Sequence, residues 1–497
     1  MKKYILLSMI VLSGLSLQSC NSWLDVTPPS QIREEDQFKT VEGFQQALIG
    51  CYLGMTDDQL YGRTLSWSTI ELMGGQFVTL QPSTSNDYYI SVYNYNSSNA
   101  IKHINGIWTK SYNVIANVNN ALKFIEINKG ILDGINYNLI KGELLAIRAF
   151  IHFDLMRLYG YGNLSVRTDI NTKSAIPYVS NLSKEMTSQL SYQQTLNLII
   201  KDLNDALTLL EIDPVTKIHP ASYYNEVNID GFYNNRQQRF NYYAATLLLS
   251  RVYLWEGSSQ SITMAQQLAS KVIAEAETKG LVSWANSTSV TDDIIMKSEH
   301  LMSLNIQNLV TKSSDYFKTQ IVAASDIKAQ YVSADNLTSI YEAETIGNTD
   351  FRFSKQFIQN TNVINGKNSY TPMKYFGTPT TQITKNYVPL LRLPEAYYIA
   401  AECKLKTTPQ DVAGALTLLN AVRAKRGITT EITSSDPQVV MNEIIKEYRK
   451  EYYCEGMMFY LYKRLGIETI PGYNLPANDA IYLLPYPSVE LQMGRKQ

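Results

Sequence analysis

Few residues in this chain have the types and spacing that catalysis requires. The four histidines, His103, His152, His219 and His300, are scattered, with no i,i+4 pair to hold zinc on one helix face. His152 lies within Phe150-Ile151-His152-Phe153, surroundings that favour a hydrogen-bonded core imidazole over a base or a ligand. There is no Gly-rich phosphate loop, no Gly-x-Ser-x-Gly elbow and no Cys-x-x-Cys. Asp57-Asp58 and Asp292-Asp293 read better as loop charges or caps than as metal ligands. Glycosidase carboxylate pairs leave no local signature, so the reading is weighted against an enzyme by the missing set of nucleophile, base and orienter. No cofactor and no metal is expected.

Cys20 is the exception with a clear chemical role. Lys2 and Lys3 precede an apolar stretch from Tyr4 to about Leu17, and Leu17-Gln18-Ser19-Cys20 closes it. This is the order of a secretory signal, and a cysteine after Leu-x-Ser suits cleavage before it and lipidation of it. Residues 1–19 are therefore expected to be a lipoprotein signal peptide and 20–40 a lipid-anchored tether. Cys51, Cys403 and Cys454 then remain, an odd set without zinc or redox spacing; Cys403 has apolar neighbours and reads as an inert buried thiol.

Composition narrows the partners. Charged residues make up 18% of 497, the formal net charge is −1 and the mean hydropathy is −0.18, which argues against a disordered chain, a polytopic membrane protein and a basic nucleic-acid surface. Tyrosine stands out, with 35 Tyr against 14 Phe and 5 Trp. An aromatic with one polar end suits a wet, concave surface at least as well as a dry core.

The elements that must position these residues are mostly helices. Leu196, Ile199, Ile200, Leu203, Leu207 and Leu210 share one face at a period of 3.6, behind the capping-box pattern Ser191-Tyr192-Gln193-Gln194. Leu144, Ile147, Ile151, Leu155 and Leu158 repeat the spacing up to Gly160, a natural residue to follow a helix end. Phe240, Tyr243, Ala244, Leu247, Leu248, Arg251 and Trp255 do the same. Thr408-Pro409-Gln410-Asp411 predicts a helix with Pro at its first position, stopped by Gly427, and Asp436-Pro437 starts the last long one. Ala-Leu pairs at 121–122, 206–207 and 415–416 recur in second members of helix pairs, where a small residue lets two helices approach; the 240–279 hairpin has Ala265, Leu268 and Ala269. The predicted fold is mainly α: a degenerate tetratricopeptide-like hairpin array over residues 41–497, with irregular aromatic-rich insertions at about 56–99 and 281–388.

Several segments together resemble the SusD/RagB family. Cys20-Asn21-Ser22-Trp23-Leu24-Asp25-Val26-Thr27-Pro28 is similar to its lipidated N-terminus. Glu143-Leu144-Leu145-Ala146-Ile147-Arg148-Ala149-Phe150, continuing to Gly160, resembles its long helix, and Leu391-Arg392-Leu393-Pro394-Glu395-Ala396-Tyr397 its apolar-Arg-x-x-Glu-Ala helix start. Leu419-Asn420-Ala421-Val422-Arg423-Ala424-Lys425-Arg426-Gly427, the 444–466 segment and Ile481-Tyr482-Leu483-Leu484-Pro485-Tyr486-Pro487 follow in family order, the last resembling a closing strand-Pro segment. Tyr448-Arg449 stands where the family has Glu-Arg, and Gly456-Met457-Met458-Phe459 departs from its basic-aromatic run; that helix looks like scaffold. The resemblance implies an outer-membrane surface lipoprotein acting as a lid on a TonB-dependent, SusC-like transporter. Its ligand would be oligosaccharide, with peptide in some relatives as the alternative and an anchored enzyme a distant third.

For a sugar ligand, flat aromatics would cover pyranose faces and amide or guanidinium groups would bond the rims. In the first insertion Trp67, Tyr88 and Tyr89 are the expected platforms, with Arg63 and Asn86 as hydroxyl partners; Trp284 and Tyr316 are added from the second. The competing reading is that Trp67 and Trp284 pin long loops to the body.

Overall fold

The computed structural model describes residues 34–78, 87–321, 328–364, 366–376 and 386–497; Cys20, the signal and most of the tether lie outside them. Most of the long helices, though not α7 (Leu393–Lys406), start where a short polar side chain accepts from a free amide two or three residues into the helix. Thr40 caps α1 (Val41–Met55), Ser97 caps α2 (Ser98–Ile127) and Asp133 caps α3 (Gly134–Tyr159). Ser191 and Gln194 form the full capping box of α4 (Tyr192–Leu209). Asn241 caps α5 (Tyr242–Glu256) and Ser258 caps α6 (Ser259–Glu275). Then follow α7 (Leu393–Lys406), α8 (Val412–Lys425), α9 (Pro437–Glu451) and α10 (Met458–Leu465).

From α1 to α8 each helix packs on the next, the continuous mainly α, tetratricopeptide-like array expected from the pattern. Ala121, Ala206, Ala265, Ala269 and Ala415 are all buried, as close crossings require. The packing of α6 on α7 closes the array across the second insertion, which leaves after α6 and returns just before α7. Its base is a two-stranded antiparallel ribbon, β3 (His300–Asn305) with β7 (Tyr387–Arg392). Its body holds β4 (Val332–Ser333), β5 (Phe357–Gln359) and β6 (Ser369–Pro372), in the order β4-β6-β5. A small hairpin of β1 (Ser174–Pro177) and β2 (Gln189–Ser191) precedes α4.

Three local expectations need correction. Gly160 does follow α3, but in extended rather than left-handed backbone; a Cβ there would lie 2.6 Å from the Met156 carbonyl oxygen and 2.7 Å from the Tyr192 hydroxyl, so close approach demands the glycine. Pro409 is not the first residue of α8, because Asp411 accepts from Gly414 N–H at 2.8 Å and starts the helix at Val412. The 481–487 segment contains no strand: Asn478 caps a short helix, Asp479–Tyr482, and the chain then runs past α3 with Leu484 N–H on the Leu158 carbonyl at 3.1 Å.

Tyrosine also behaves differently from the compositional reading. Most of the described tyrosines point inward, and several use the hydroxyl to satisfy buried acceptors: Tyr52 on Glu143 and Tyr61 on Asp154, both at 2.7 Å, and Tyr341 on the Lys450 carbonyl at 2.7 Å. His152 is a core histidine. Val179 N–H donates to its Nε2 at 3.0 Å, so Nδ1 carries the proton and donates to the Arg148 carbonyl at 2.9 Å. Burial holds it neutral, with its pKa pushed down to about 3. Cys51 and Cys403 are buried free thiols pushed up to about 12 by burial.

Beneath the second insertion, α7 to α9 enclose a network of paired charges. Glu451 accepts from Arg352 and Arg392 at 2.7 Å and from Arg426 at 2.8 Å, all fully buried. Arg352 also holds Asp350 and Glu447, and Arg426 holds Glu299. Burial alone would raise the Glu451 pKa, but Arg426, Arg392 and Arg352 outweigh it and hold the carboxylate well below its ordinary range. The family-like 444–466 segment is therefore structural.

Candidate functional site

The first insertion begins directly after α1 as a series of turns around its own backbone. Leu60, Tyr61, Leu65 and Trp67 turn inward, which leaves Arg63 at the rim with its side chain 15% exposed. Val78 N–H donates to the Tyr331 carbonyl at 2.9 Å, stitching this insertion to the second. A second link is polar: Arg63 Nη1 donates to the Tyr316 hydroxyl at 3.0 Å.

Asp87 organises the rim. Its carboxylate accepts from the Thr69 hydroxyl at 2.9 Å and lies 3.2 Å from His103 Nε2 and 3.8 Å from Arg63 Nη1. Fixing Asp87 fixes the start of the short helix Tyr88–Ser91, whose Tyr88 and Tyr89 are half-buried with rings edge to face at 5.4 Å. His103 is held below its ordinary pKa by burial, with Asp87 opposing and Arg63 reinforcing the shift. The order is not that of an acyl-transfer triad. Thr69 donates to the carboxylate rather than to the imidazole, and it is 1% exposed.

The expected site residues thus divide. Arg63, Tyr88, Tyr89 and Tyr316 come together at one rim. Trp67 lies directly beneath it but is 0% exposed: its indole N–H donates to the Gly62 carbonyl at 3.0 Å, and Tyr316 and Phe317 crowd its ring with centroids at 5.2 and 5.7 Å. This corrects the platform expectation for Trp67, which has no free face for a sugar ring. Tyr316 is largely covered as well, so its contribution to the rim is to orient Arg63. Trp284 belongs to another region. Its half-buried ring stands edge-on to Tyr397 of α7 at 5.3 Å, with the Arg426 guanidinium 5.3 Å away, so it fastens the insertion to the array above the ion network. Asn86 lies outside the described residues.

Sequence reasoning missed Asp87, His103 and Lys328, whose ammonium is 5.9 Å from the Tyr316 ring centre and 3.3 Å from Asp315. Only the adjacency of Asp87 to the tyrosine pair could have drawn notice. Asp57 and Asp58, read as loop charges, pair with Lys110 at 2.9 Å and Lys312 at 2.7 Å. The rim as a whole offers a guanidinium with N–H groups and two tyrosine hydroxyls that have no partner among the described residues, and a lysine: equipment for holding a hydroxyl-rich molecule against aromatic edges.

A helical array carrying two stitched insertions defines a mainly α, tetratricopeptide-like class of fold. The chain belongs to the SusD/RagB family. The family profile described as "Starch-binding associating with outer membrane" matches residues 22–224, and that of the SusD family matches 307–482. Two SusD-like proteins of Formosa agariphila are each 26% identical, over 162 and 221 residues; these matches take in 32% and 43% of this chain but only 30% and 40% of the relatives' lengths. In fold it is similar to a SusD superfamily protein from Bacteroides thetaiotaomicron (TM-score 0.70, 23% identity, 91% of this chain and 98% of that one). It is also similar to a SusD-like carbohydrate binding protein from Bacteroides vulgatus (TM-score 0.68, 17% identity, 91% and 96%).

Proposed function

We propose that this protein is an outer-membrane surface lipoprotein, anchored through Cys20, that captures oligosaccharide and delivers it to a partner TonB-dependent, SusC-like transporter without cleaving it. Residues 1–19 would be removed as signal, 20–40 would tether the body, and 41–497 would form one binding domain. The observation that carries the reading is the Arg63–Tyr316 bond, which joins both insertions beside the half-buried Tyr88 and Tyr89. A surface made from two segments and fixed before ligand arrives loses less conformational entropy on binding. Tyrosine edges and a guanidinium suit the alternation of C–H faces and hydroxyls on a pyranose. Family membership supports the glycan and the membrane association, and the order of residues 1–20 supports the lipid.

The test combines location and fate. Wild-type protein should fractionate with membranes and Cys20→Ala should not; purified protein should retain glycans from a panel of neutral oligosaccharides and release them intact. A Cys20→Ala variant that stays wholly in the membrane fraction would count against the anchor, and cleavage in stoichiometric excess would revive an enzyme.

A further inference from the structure

A cavity of about 370 Å³ opens between the last turns of α1, the 231–239 segment and the end of β3. That volume falls within the ~300–1,000 Å³ typical of small-molecule sites. We propose that it is a separate subsite for a neutral, hydroxyl-bearing sugar unit of a longer chain whose other end lies at the Arg63 rim; the inference rests on the glycan reading above.

The wall chemistry supports this. Asn234, Asn235, Gln238, Asn305 and Gln307 bring five side-chain amides to one cavity. Each amide both donates and accepts, as a sugar hydroxyl does. Gln238 is fixed by donating to the Tyr387 hydroxyl at 3.0 Å, whereas Asn235, Asn305 and Gln307 make no side-chain hydrogen bond among the described residues. Ile49, Leu53 and Phe232 supply apolar surface for C–H faces, Leu53 being 61% exposed. Among the described residues Arg239 is the only charged one lining the cavity. Its guanidinium lies 4.2 Å from the Phe232 ring centre, and its Nη1 has no hydrogen-bond partner although the residue is 5% exposed. A buried donor without a partner is costly unless a ligand completes it. Glu143 lies 3.8 Å from Arg239 Nε and balances the charge, which favours a neutral ligand over an acidic one.

Position supports it too. Thr56 lines the cavity and the chain runs from it through Asp58 to Arg63; Gln307 lines it too and leads through Lys312 to Tyr316. The Lys312–Asp58 pair at 2.7 Å ties these two segments together between the cavity and the Arg63–Tyr316 bond. The same two paired segments thus lead from the cavity to the Arg63–Tyr316 bond.

The experiment is titration calorimetry with the trisaccharides and hexasaccharides of four neutral series, malto-, cello-, xylo- and manno-oligosaccharides, and with hexagalacturonate as the acidic control. Wild type is compared with Arg63→Ala and with the double variant Asn305→Ala/Gln307→Ala, whose side chains are exposed and unbonded, with melting curves confirming that both fold. Wild type should bind one neutral hexasaccharide roughly tenfold or more tighter than its trisaccharide. The double variant should lose that gain and keep the trisaccharide affinity. A gain kept in the double variant overturns the subsite alone, and a preference for hexagalacturonate overturns its neutral character. Loss of the gain in the double variant with no effect of Arg63→Ala supports the cavity as a subsite, overturns the placement of the ligand's other end at the Arg63 rim and removes that rim from the function proposed above. No binding of any probe overturns both.

Discussion

The Arg63 guanidinium donates to the Tyr316 hydroxyl at 3.0 Å across 253 positions of sequence. This bond makes a single rim out of two insertions that leave the helical array at different points. Beneath it the Trp67 indole meets Tyr316 edge-on, so the polar contact sits on an aromatic floor.

The floor and the rim should separate under mutation. Tyr88→Ala with Tyr89→Ala removes half-buried rings from a short helix, so glycan affinity should fall at least about tenfold while the melting temperature moves by only a few degrees. A large drop in melting temperature would place these tyrosines with the core.

Trp67→Ala should do the reverse. It empties a fully buried aromatic site and is expected to cost about 3–5 kcal/mol, read as a fall in urea midpoint. A variant as stable as wild type would mean that the indole is not enclosed.

The charge network under the second insertion should fail steeply when its centre is removed. Glu451→Gln withdraws the shared carboxylate from Arg352, Arg392 and Arg426, and leaving buried guanidinium groups short of partners costs about 3–5 kcal/mol. Chemical denaturation gives the value, and a loss below about 1 kcal/mol would contradict the pairing.

Acid should destabilise the fold in two windows. His152 and His300 are held neutral by burial with pKa values of about 3, below the ordinary 6.5. The unfolded chain takes up these protons first, so stability present above pH 6.5 declines as pH falls toward 3, by about 1.4 kcal/mol per group per pH unit. For Glu402 and Glu447 burial alone would raise the pKa, but Arg464 and Arg352 prevail and bring both to about 2. Their contribution is present above 4.5 and lost as pH falls through 2. Melting temperatures from pH 7 to pH 3 should fall continuously, and a flat profile between 7 and 5 would contradict the buried neutral histidines.

The array was legible in the chain because its signals are local: the Ser191 box, the Asp436-Pro437 start and the 3.6-residue faces each span only a few turns. The insertions were legible as breaks in that period, but their content was not. Trp67 looked like a platform because an isolated Trp in an irregular stretch carries no mark of which way it faces; Phe317 and Tyr375, which surround it, lie far away in sequence. The ion network was visible as family-like motifs, yet the pairing of Arg352 with Glu447 across 95 positions follows only from how α9 meets the second insertion. Asp87 was hidden for the same reason, since its partners Thr69 and His103 come from separate elements.

Binding at the rim is tested most directly by titration calorimetry of one neutral oligosaccharide retained by the wild type, repeated with Arg63→Ala. Arg63 is the residue through which the two insertions meet at the solvent edge. The expected result is a loss of affinity of about tenfold or more in a variant whose melting curve overlays the wild type. Unchanged affinity in that folded variant would contradict the assignment of the rim as the glycan site.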